Sequence, residues 1–425
     1  MAKIKLTGHA SGTGILTITA PNTSTDRTIT LPDATGTLLN SDGSAASLTA
    51  IPAANITGTL PAISGASLTN LPAQKVNPNI LINGGMQIAQ RSLASGTAND
   101  SQEGYGTVDR FSLEFGNSAG GAIMAARDHT TVPDGFGFSY HLNVTTAATA
   151  SSTEIVFFRQ SVEAQSMRSC GWDYTDSNAD ITLSFWVYNN KTGIYCVAFQ
   201  THDGTSKMYT VEYTVSSSNT WEKKTITIPG DSGISFDANN NLGLTVYFML
   251  DNASGRYGTA GSWATGNHYG TSNQVNFLDS TSNNGYWTGL KLEVGDTATD
   301  FVHKGYGEEL TLCQRYYQTT SVYTTMAGFA NGTSQIQFGV PLVTALRASP
   351  TTGRSGNNDW TAVKYDSSTN CNDSNIPVTS DYSEVEGGNG TTVHVYLNGF
   401  SGNLVDMRIT NLYCGNKRIT FDAEL

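Results

Sequence analysis

Charged residues are scarce in this sequence: Asp, Glu, Lys and Arg make up 14% of its 425 residues, where an ordinary soluble domain carries roughly a quarter. What charge there is leans acidic, with 23 basic and 35 acidic side chains and a net charge of −12. No Lys/Arg cluster is present to neutralise phosphates, which argues against a nucleic-acid partner and disfavours an anionic membrane surface. Long apolar runs are absent as well. No stretch reaches the roughly eighteen residues of a membrane helix, so no membrane insertion is expected, and the opening MAKIKLTGHASGTGILTITA lacks the sustained apolar core of a secretory signal. Cysteine is sparse: Cys170, Cys196, Cys313, Cys371 and Cys414 are odd in number, scattered, and form no C-x-x-C pair, against a disulfide framework or a zinc site. The histidines form no i, i+4 pair around a carboxylate and no G-x-S-x-G elbow occurs, so neither a zinc nor a serine hydrolase is expected. Such a chain reads as made in a reducing cytoplasm.

Ser, Thr, Asn and Gly fill the gap, around a series of short apolar runs. DITLSFWVYNN, GIYCVAFQTH, MYTVEYTV, EKKTITIPG, LGLTVYFML and WTGLKLEVG alternate with period two, are rich in Val, Ile, Thr and aromatics, and sit between Gly, Asn and Ser clusters. Several such strands with no amphipathic helices between them predict an antiparallel sandwich or barrel and exclude a parallel α/β fold. The one clear helix is GEELTLCQRYYQ, residues 307–318, with acids at its start and Leu310, Cys313 and Tyr317 on one face. QIQFGV, TVHVYLNGF, DMRITNLYCG and KRITFDA then read as strands of a second, smaller unit. Before the sandwich, GILTITAP and RTITLPDATGTLL form strands too few to be stable alone. The expected fold is mainly β: an N-terminal β module (1–45), a thin low-complexity shaft (46–76), a β-sandwich (77–306), a connecting helix (307–318) and a small C-terminal β tip domain (319–425).

The shaft carries Pro at a density that forbids a helix or a central strand, as Ile51-Pro52, Leu60-Pro61 and Leu71-Pro72. Leu48, Ile51, Ile56, Leu60, Ile63, Leu68 and Leu71 supply an apolar seam that one chain cannot hide. Copies of the chain wound side by side, read as three-fold, would cover it; a flexible linker that happens to contain leucines is the other reading.

Four segments resemble the tail fibre proteins of tailed bacteriophages, of the type common in marine phages. TITAPNTSTDRTITLPDATGTLL is similar to their amino-terminal module and NITGTLPAISGASLTNLPA to their shaft. NPNILINGGMQIAQRS with GYGTVDRF is similar to the start of their carbohydrate-binding-like jelly roll, and WTGLKLEVGDTATDFVHKGYGEELTLCQRYYQ to its last strand and the following helix. The likeness spans most of residues 15–320 and thins beyond, to VPLVTALRASPT. It implies an elongated homotrimeric receptor-binding fibre of the virion, synthesised in the host cytoplasm. Residues 1–45 would attach it to another virion tail protein, and the rest would meet a host-surface glycan or receptor.

Sugar recognition needs aromatic faces beside neutral amides and hydroxyls. Residues 251–287 offer Tyr257, Trp263, His268, Tyr269, Tyr286 and Trp287 among Asn, Ser and Gly. Tyr257, His268 and Tyr269 are the better ligands, while Trp263 is as easily a packing anchor and Trp287 opens a strand. A second candidate is the tip, where Trp360 and Tyr365 stand in a long loop, 353–375, that Tyr382 could join. No cofactor is expected; a structural calcium is possible at FDANNN (236–241) or NCNDSN (370–375), neither with EF-hand spacing. Cleavage of a polysaccharide needs two carboxylates about 5–9.5 Å apart. Glu308-Glu309 reads instead as a helix start and Glu384 with Glu386 as a solvated loop, so no enzyme is expected. A purely structural fibre or decoration protein is the alternative, and a depolymerase the remoter one.

Overall fold

The computed structural model describes residues 78–91, 95–98, 104–320, 325–331, 335–354, 360–364, 370–373, 378–382, 392–398, 409–413 and 418–425, all of which belong to one compact unit. The N-terminal module and the shaft with its seam lie outside them.

Twelve strands build the first part: β1 (Ser95–Ala98), β2 (Ser112–Gly116), β3 (Ala122–Asp128), β4 (Ser139–Thr146), β5 (Ile155–Glu163), β6 (Asp180–Asn189), β7 (Gly193–Thr201), β8 (Lys207–Val215), β9 (Glu222–Pro229), β10 (Leu242–Asn252), β11 (Trp263–Thr265) and β12 (Asn284–Val294). They form two six-stranded antiparallel sheets, sheet A in the order β1-β3-β4-β12-β6-β9 and sheet B in the order β11-β8-β7-β10-β5-β2. Along the chain β4, β6, β9 and β12 fall in sheet A, whereas β5, β7, β8 and β10 fall in sheet B. The spatial orders β4-β12-β6-β9 and β8-β7-β10-β5 are those of two interlocked Greek keys, a jelly-roll sandwich.

One contiguous core lies between the sheets. At its centre Phe158 stacks on Phe248, with ring centroids 4.6 Å apart, and meets the edge of Trp287 at 5.2 Å. Trp287 is wholly buried and so is a core anchor. Strand β10 shows why its sequence, LGLTVYFML, is apolar almost throughout. Leu244, Val246, Phe248 and Leu250 enter the inter-sheet core, while Tyr247 and Met249 join Ile155, Phe157, Cys196, Ala198 and Met208 in a second cluster on the outer face of sheet B. A strand covered on both sides loses its alternation.

Two α-helices occur among the described residues, α1 (Ala164–Ser169) and α2 (Tyr306–Gln314). The expected helix 307–318 therefore ends early, and α1 carries no signal of its own, being a six-residue connector between sheets. Glu308 and Glu309 do occupy the first turn of α2, where carboxylates favour the helix N-terminus. Its buried positions are Glu309 and Cys313 rather than the expected Leu310, because the Asn83 backbone N–H donates to Glu309 Oε1. Beyond Gln314 the backbone is claimed by tertiary partners. Arg315 donates through Nε and Nη2 to the two oxygens of Glu163, at 2.7 and 2.8 Å, and the Tyr316 hydroxyl donates to Glu163 Oε1 at 2.7 Å.

The two most distinctive stretches of the sequence meet in space. From GYGTVDRF, Phe111 fills the core, and Arg110 lies over the Tyr316 ring at 3.4 Å, donates to Ser161 O and pairs with Glu424. Arg91 lies over the Tyr317 ring at 3.9 Å and pairs with Asp422 and Glu424 at 3.2 Å. The Asn-rich entry is equally structural. Asn79 accepts from Leu81 N and Leu292 N and donates to Leu290 O, while Asn83 bonds Ile88 and the carbonyl of Asp109. At Gly84 a Cβ would stand 2.0 Å from Leu290 O, so only glycine lets the entry lie against β12.

The remaining strands are β13 (Tyr317–Thr319), β14 (Thr325–Asn331), β15 (Gln335–Pro341), β16 (Thr351–Arg354), β17 (Trp360–Lys364), β18 (Asn370–Asp373), β19 (Val378–Tyr382), β20 (Thr392–Asn398), β21 (Ile409–Tyr413) and β22 (Ile419–Asp422). A three-stranded sheet runs β13-β22-β16 and a seven-stranded one β18-β17-β21-β14-β15-β20-β19. Strand β22 lies against β13, which brings Asp422 and Glu424 to Arg91 and Arg110. The region 353–375, expected as a long loop, contains the hairpin β17–β18 with Trp360 opposite Asp373. Alternation in WTAVK is too short to stand out from its polar surroundings.

Candidate functional site

The outer face of sheet B offers both rings and polar groups. Cross-strand register lays them in rows. Ser112, Arg159, Tyr247, Ala198 and Thr210 follow one another across β2, β5, β10, β7 and β8; one step along, Ser161, Thr245, Gln200 and Met208 do the same. Each row alternates with residues of the inter-sheet core, as strand geometry demands.

Arg159 is the electrostatic centre. Its Nε donates to Glu114 Oε1 at 2.7 Å, and the side chains are 19% and 24% exposed. The Glu114 carboxylate beside it raises the guanidinium's pKa against the opposing cost of burial. Arg159 in turn lies near Tyr105, Tyr247, Tyr269 and His202, all of whose titrations feel it. The Tyr105 hydroxyl, pushed up to about 12 mainly by burial, donates to Leu425 O at 2.8 Å. His202 Nε2 is 2.9 Å from Thr245 Oγ1, which is 3.0 Å from Ser161 Oγ. Burial, aided by the Arg159 charge, pushes this imidazole down to about 4, so it is neutral at ordinary pH. Tyr247 donates its hydroxyl to Gln200 Oε1 at 2.8 Å.

One border of this floor is the segment after β10. Tyr269 lies parallel to Phe157 at 6.3 Å and edge-on to Tyr247 at 5.2 Å. Thr210 Oγ1 donates to His268 O, and Thr271 Oγ1 and Asn273 Nδ2 donate to Glu212 Oε1, which pins the segment over β8. The opposite border is Tyr105 with the residues around Glu424 and Leu425.

Of the residues singled out in the sequence, Tyr257, His268 and Tyr269 come together. Tyr257 bridges Gly270, its carbonyl lies 3.1 Å from His268 Nδ1, and Tyr269 N donates to Arg256 O. Tyr257 is 37% exposed, while His268 and Tyr269 are half-buried. Trp263 is elsewhere: its Nε1 donates to Pro229 O at 2.8 Å and its partly buried ring meets the edge of Tyr209 at 5.3 Å, against the inter-sheet core. Tyr286 belongs to the other sheet, stacked on His141 with centroids 4.2 Å apart. The tip residues are not brought together in the sheet. Trp360 begins β17 and Tyr382 ends β19, with four strands between them, and Tyr365 lies outside the described residues. Arg159, Glu114, Gln200, His202 and Tyr247 were missed by the sequence reading. The available signal was Arg159, Ser161 and Glu163 at alternate positions of IVFFRQSVE, which marks a polar face of a largely buried strand without saying that it is a site.

The Asn/Asp run at 236–241 serves turns and docking: Asn241 N donates to Asn239 Oδ1, and Asn240 Nδ2 donates to Arg347 O. Of 370–375 the backbone of β18 is described. Among the described residues no group of three His, Cys, Asp or Glu is placed to hold a metal ion, Cys170, Cys196 and Cys313 are free thiols, and no helix is long and apolar enough to cross a membrane.

No family model matches this sequence, and no curated protein matches it. Among solved structures it is similar to the enzymatically active domain of tailspike protein 4 of bacteriophage CBA120, at 12% identity and a TM-score of 0.27 over 51% of this chain; the match spans 21% of that chain. It is also similar to the family 11 carbohydrate-binding module of cellulosomal cellulase Lic26A-Cel5E of Clostridium thermocellum (12% identity, TM-score 0.24, 48% of this chain and 98% of that one). A third is TmCBM61 in complex with β-1,4-galactotriose (14%, 0.20, 51% and 97%). The jelly-roll assignment rests on the strand order and not on these likenesses.

Proposed function

We propose that this chain is a receptor-binding fibre of a tailed bacteriophage and that the outer face of sheet B grips a glycan of the host surface. The observation that carries the glycan reading is the bordered face around Arg159. The half-buried Tyr269 ring, packed edge-on against the buried Tyr247, stands beside a guanidinium, a carboxylate, a primary amide and a neutral imidazole, which together suit the C–H face and the hydroxyls of a sugar. In this reading residues 1–45 dock on another virion tail protein, 46–76 wind three copies together through Leu48 to Leu71, 77–306 bind the glycan, and 307–318 and 319–425 join and extend the fibre. The protein acts on the virion after synthesis in the host cytoplasm.

Binding without cleavage fits the carboxylates of this face. Glu114 is on β2 and Glu212 on β8, four strand intervals apart in sheet B, or about 19 Å, well beyond the roughly 5–9.5 Å of a glycosidase pair. The test is binding of the purified chain to host-surface polysaccharide, with the product sized afterwards. Retained binding and unchanged polymer length support the proposal; shortening points to a depolymerase, and no binding to a purely structural fibre.

A further inference from the structure

Resting on the glycan reading, we infer that the site takes an acidic polysaccharide, and that Arg256 at its border reads the carboxylate of a uronic acid beside the Tyr269 ring. Arg256 closes the short turn Ser254–Arg256 that follows β10, and the turn is pinned on both sides: Gly255 N donates to Ser152 O at 2.9 Å and Tyr269 N donates to Arg256 O at 3.0 Å. In the side chain Nε donates to Thr153 O at 3.1 Å, which sets the direction of the guanidinium and leaves its two Nη groups without a partner among the described residues. A half-buried arginine held at one nitrogen is an aimed donor. Burial raises the titration of the Tyr269 hydroxyl, and of the charges that oppose this rise Arg256 comes first, ahead of Arg159, so both guanidinium groups lie near that ring.

The two arginines differ in what remains for them to bind. Arg159 is compensated by Glu114 at 2.7 Å, whereas no carboxylate among the described residues pairs with Arg256. The other acids around the site are engaged elsewhere: Glu154 accepts from the N–H and the hydroxyl of Ser151, and Glu212 accepts from Thr271 and Asn273. A carboxylate that enters here loses hydration, and it gains charge-assisted hydrogen bonds from two Nη groups to two oxygens with no existing ion pair to break first. A neutral hydroxyl in the same place gains a weaker bond. The chain's net charge of −12 opposes this only from a distance, and it is screened beyond about 8 Å at physiological salt. The half-buried Tyr269 ring serves the C–H face of the same sugar.

The experiment measures retention of the full chain by affinity electrophoresis at about 0.15 M salt. The gels hold polygalacturonate or alginate, the same polymers after reduction of their carboxyl groups to primary alcohols, or dextran. The wild type is expected to be retarded by at least one polyuronate, and about tenfold or more weakly by the carboxyl-reduced form of that polymer. Arg256→Gln should lose about tenfold in polyuronate retention with an unchanged near-UV spectrum, and Arg256→Lys, which keeps the charge and loses the fork, should fall between the two. Lys223→Gln removes the same unit of charge from an exposed position on β9 in sheet A and should match the wild type, which separates a site from general attraction. Equal retention by a polyuronate and its reduced form, retention by dextran alone, unchanged retention in Arg256→Gln, or equal losses in Arg256→Gln and Lys223→Gln overturns the inference and leaves the glycan reading standing. Retention in none of the gels overturns both.

Discussion

Buried charge decides most at the level of single residues. Arg110 is 1% exposed, sandwiched between the Tyr316 ring and the Glu424 carboxylate. Removing one partner of such a pair strands the other in an apolar setting. Arg110→Ala should therefore lower unfolding stability by about 3–5 kcal/mol in a denaturant titration, and Arg110→Met with Glu424→Leu should recover most of it. The sequence motif GYGTVDRF was visible as a motif, but its role was not: the partner carboxylate lies 314 residues away. His202 supplies a pH effect. Its folded-state value is about 4, depressed by burial and then by Arg159, against an ordinary 6.5. Between these the unfolded state binds the proton that the folded state refuses, so this residue's contribution is whole above pH 6.5 and is lost as pH falls to about 4. The loss is on the order of 2–3 kcal/mol, and His202→Gln should flatten the stability profile across that window.

Individual elements separate packing from recognition. Tyr269 and Trp263 belong to one connecting segment, yet the first stands over the outer cluster of sheet B and the second seals the rim of the core. Tyr269→Ala is expected to weaken glycan retention by about tenfold with little change in melting temperature. Trp263→Ala should do the reverse, destabilising by about 2–4 kcal/mol while the folded fraction still binds. The strands themselves were legible. DITLSFWVYN, GIYCVAFQT, KMYTVEYTV and EKKTITIP each became a strand of nearly the expected extent, because period-two alternation and β-branched residues report burial directly. Helix α2 was legible at its acidic start and not at its end. Glu163, in a distant strand, takes Arg315 and Tyr316 out of the helical continuation.

For the whole molecule, the apolar seam from Leu48 to Leu71 makes assembly the central prediction. The native mass by light scattering should be three times 45.2 kDa, and deletion of residues 46–76 should yield monomers that still bind glycan one site at a time. The chain without residues 1–45 should keep its oligomeric mass and fail to join virions in a complementation assay.

The sequence by itself settled the class of fold, since alternation, turn residues and missing amphipathic helices are local properties of a chain whose strands must bury one face. The location of the candidate site belonged to the tertiary structure alone. Glu114, Arg159 and Tyr247 come from β2, β5 and β10 and His202 from the residue after β7, and sheet B places these strands side by side in an order unlike their order in the chain. Register across a sheet is fixed by the packing of all its strands together and leaves no mark on any one of them.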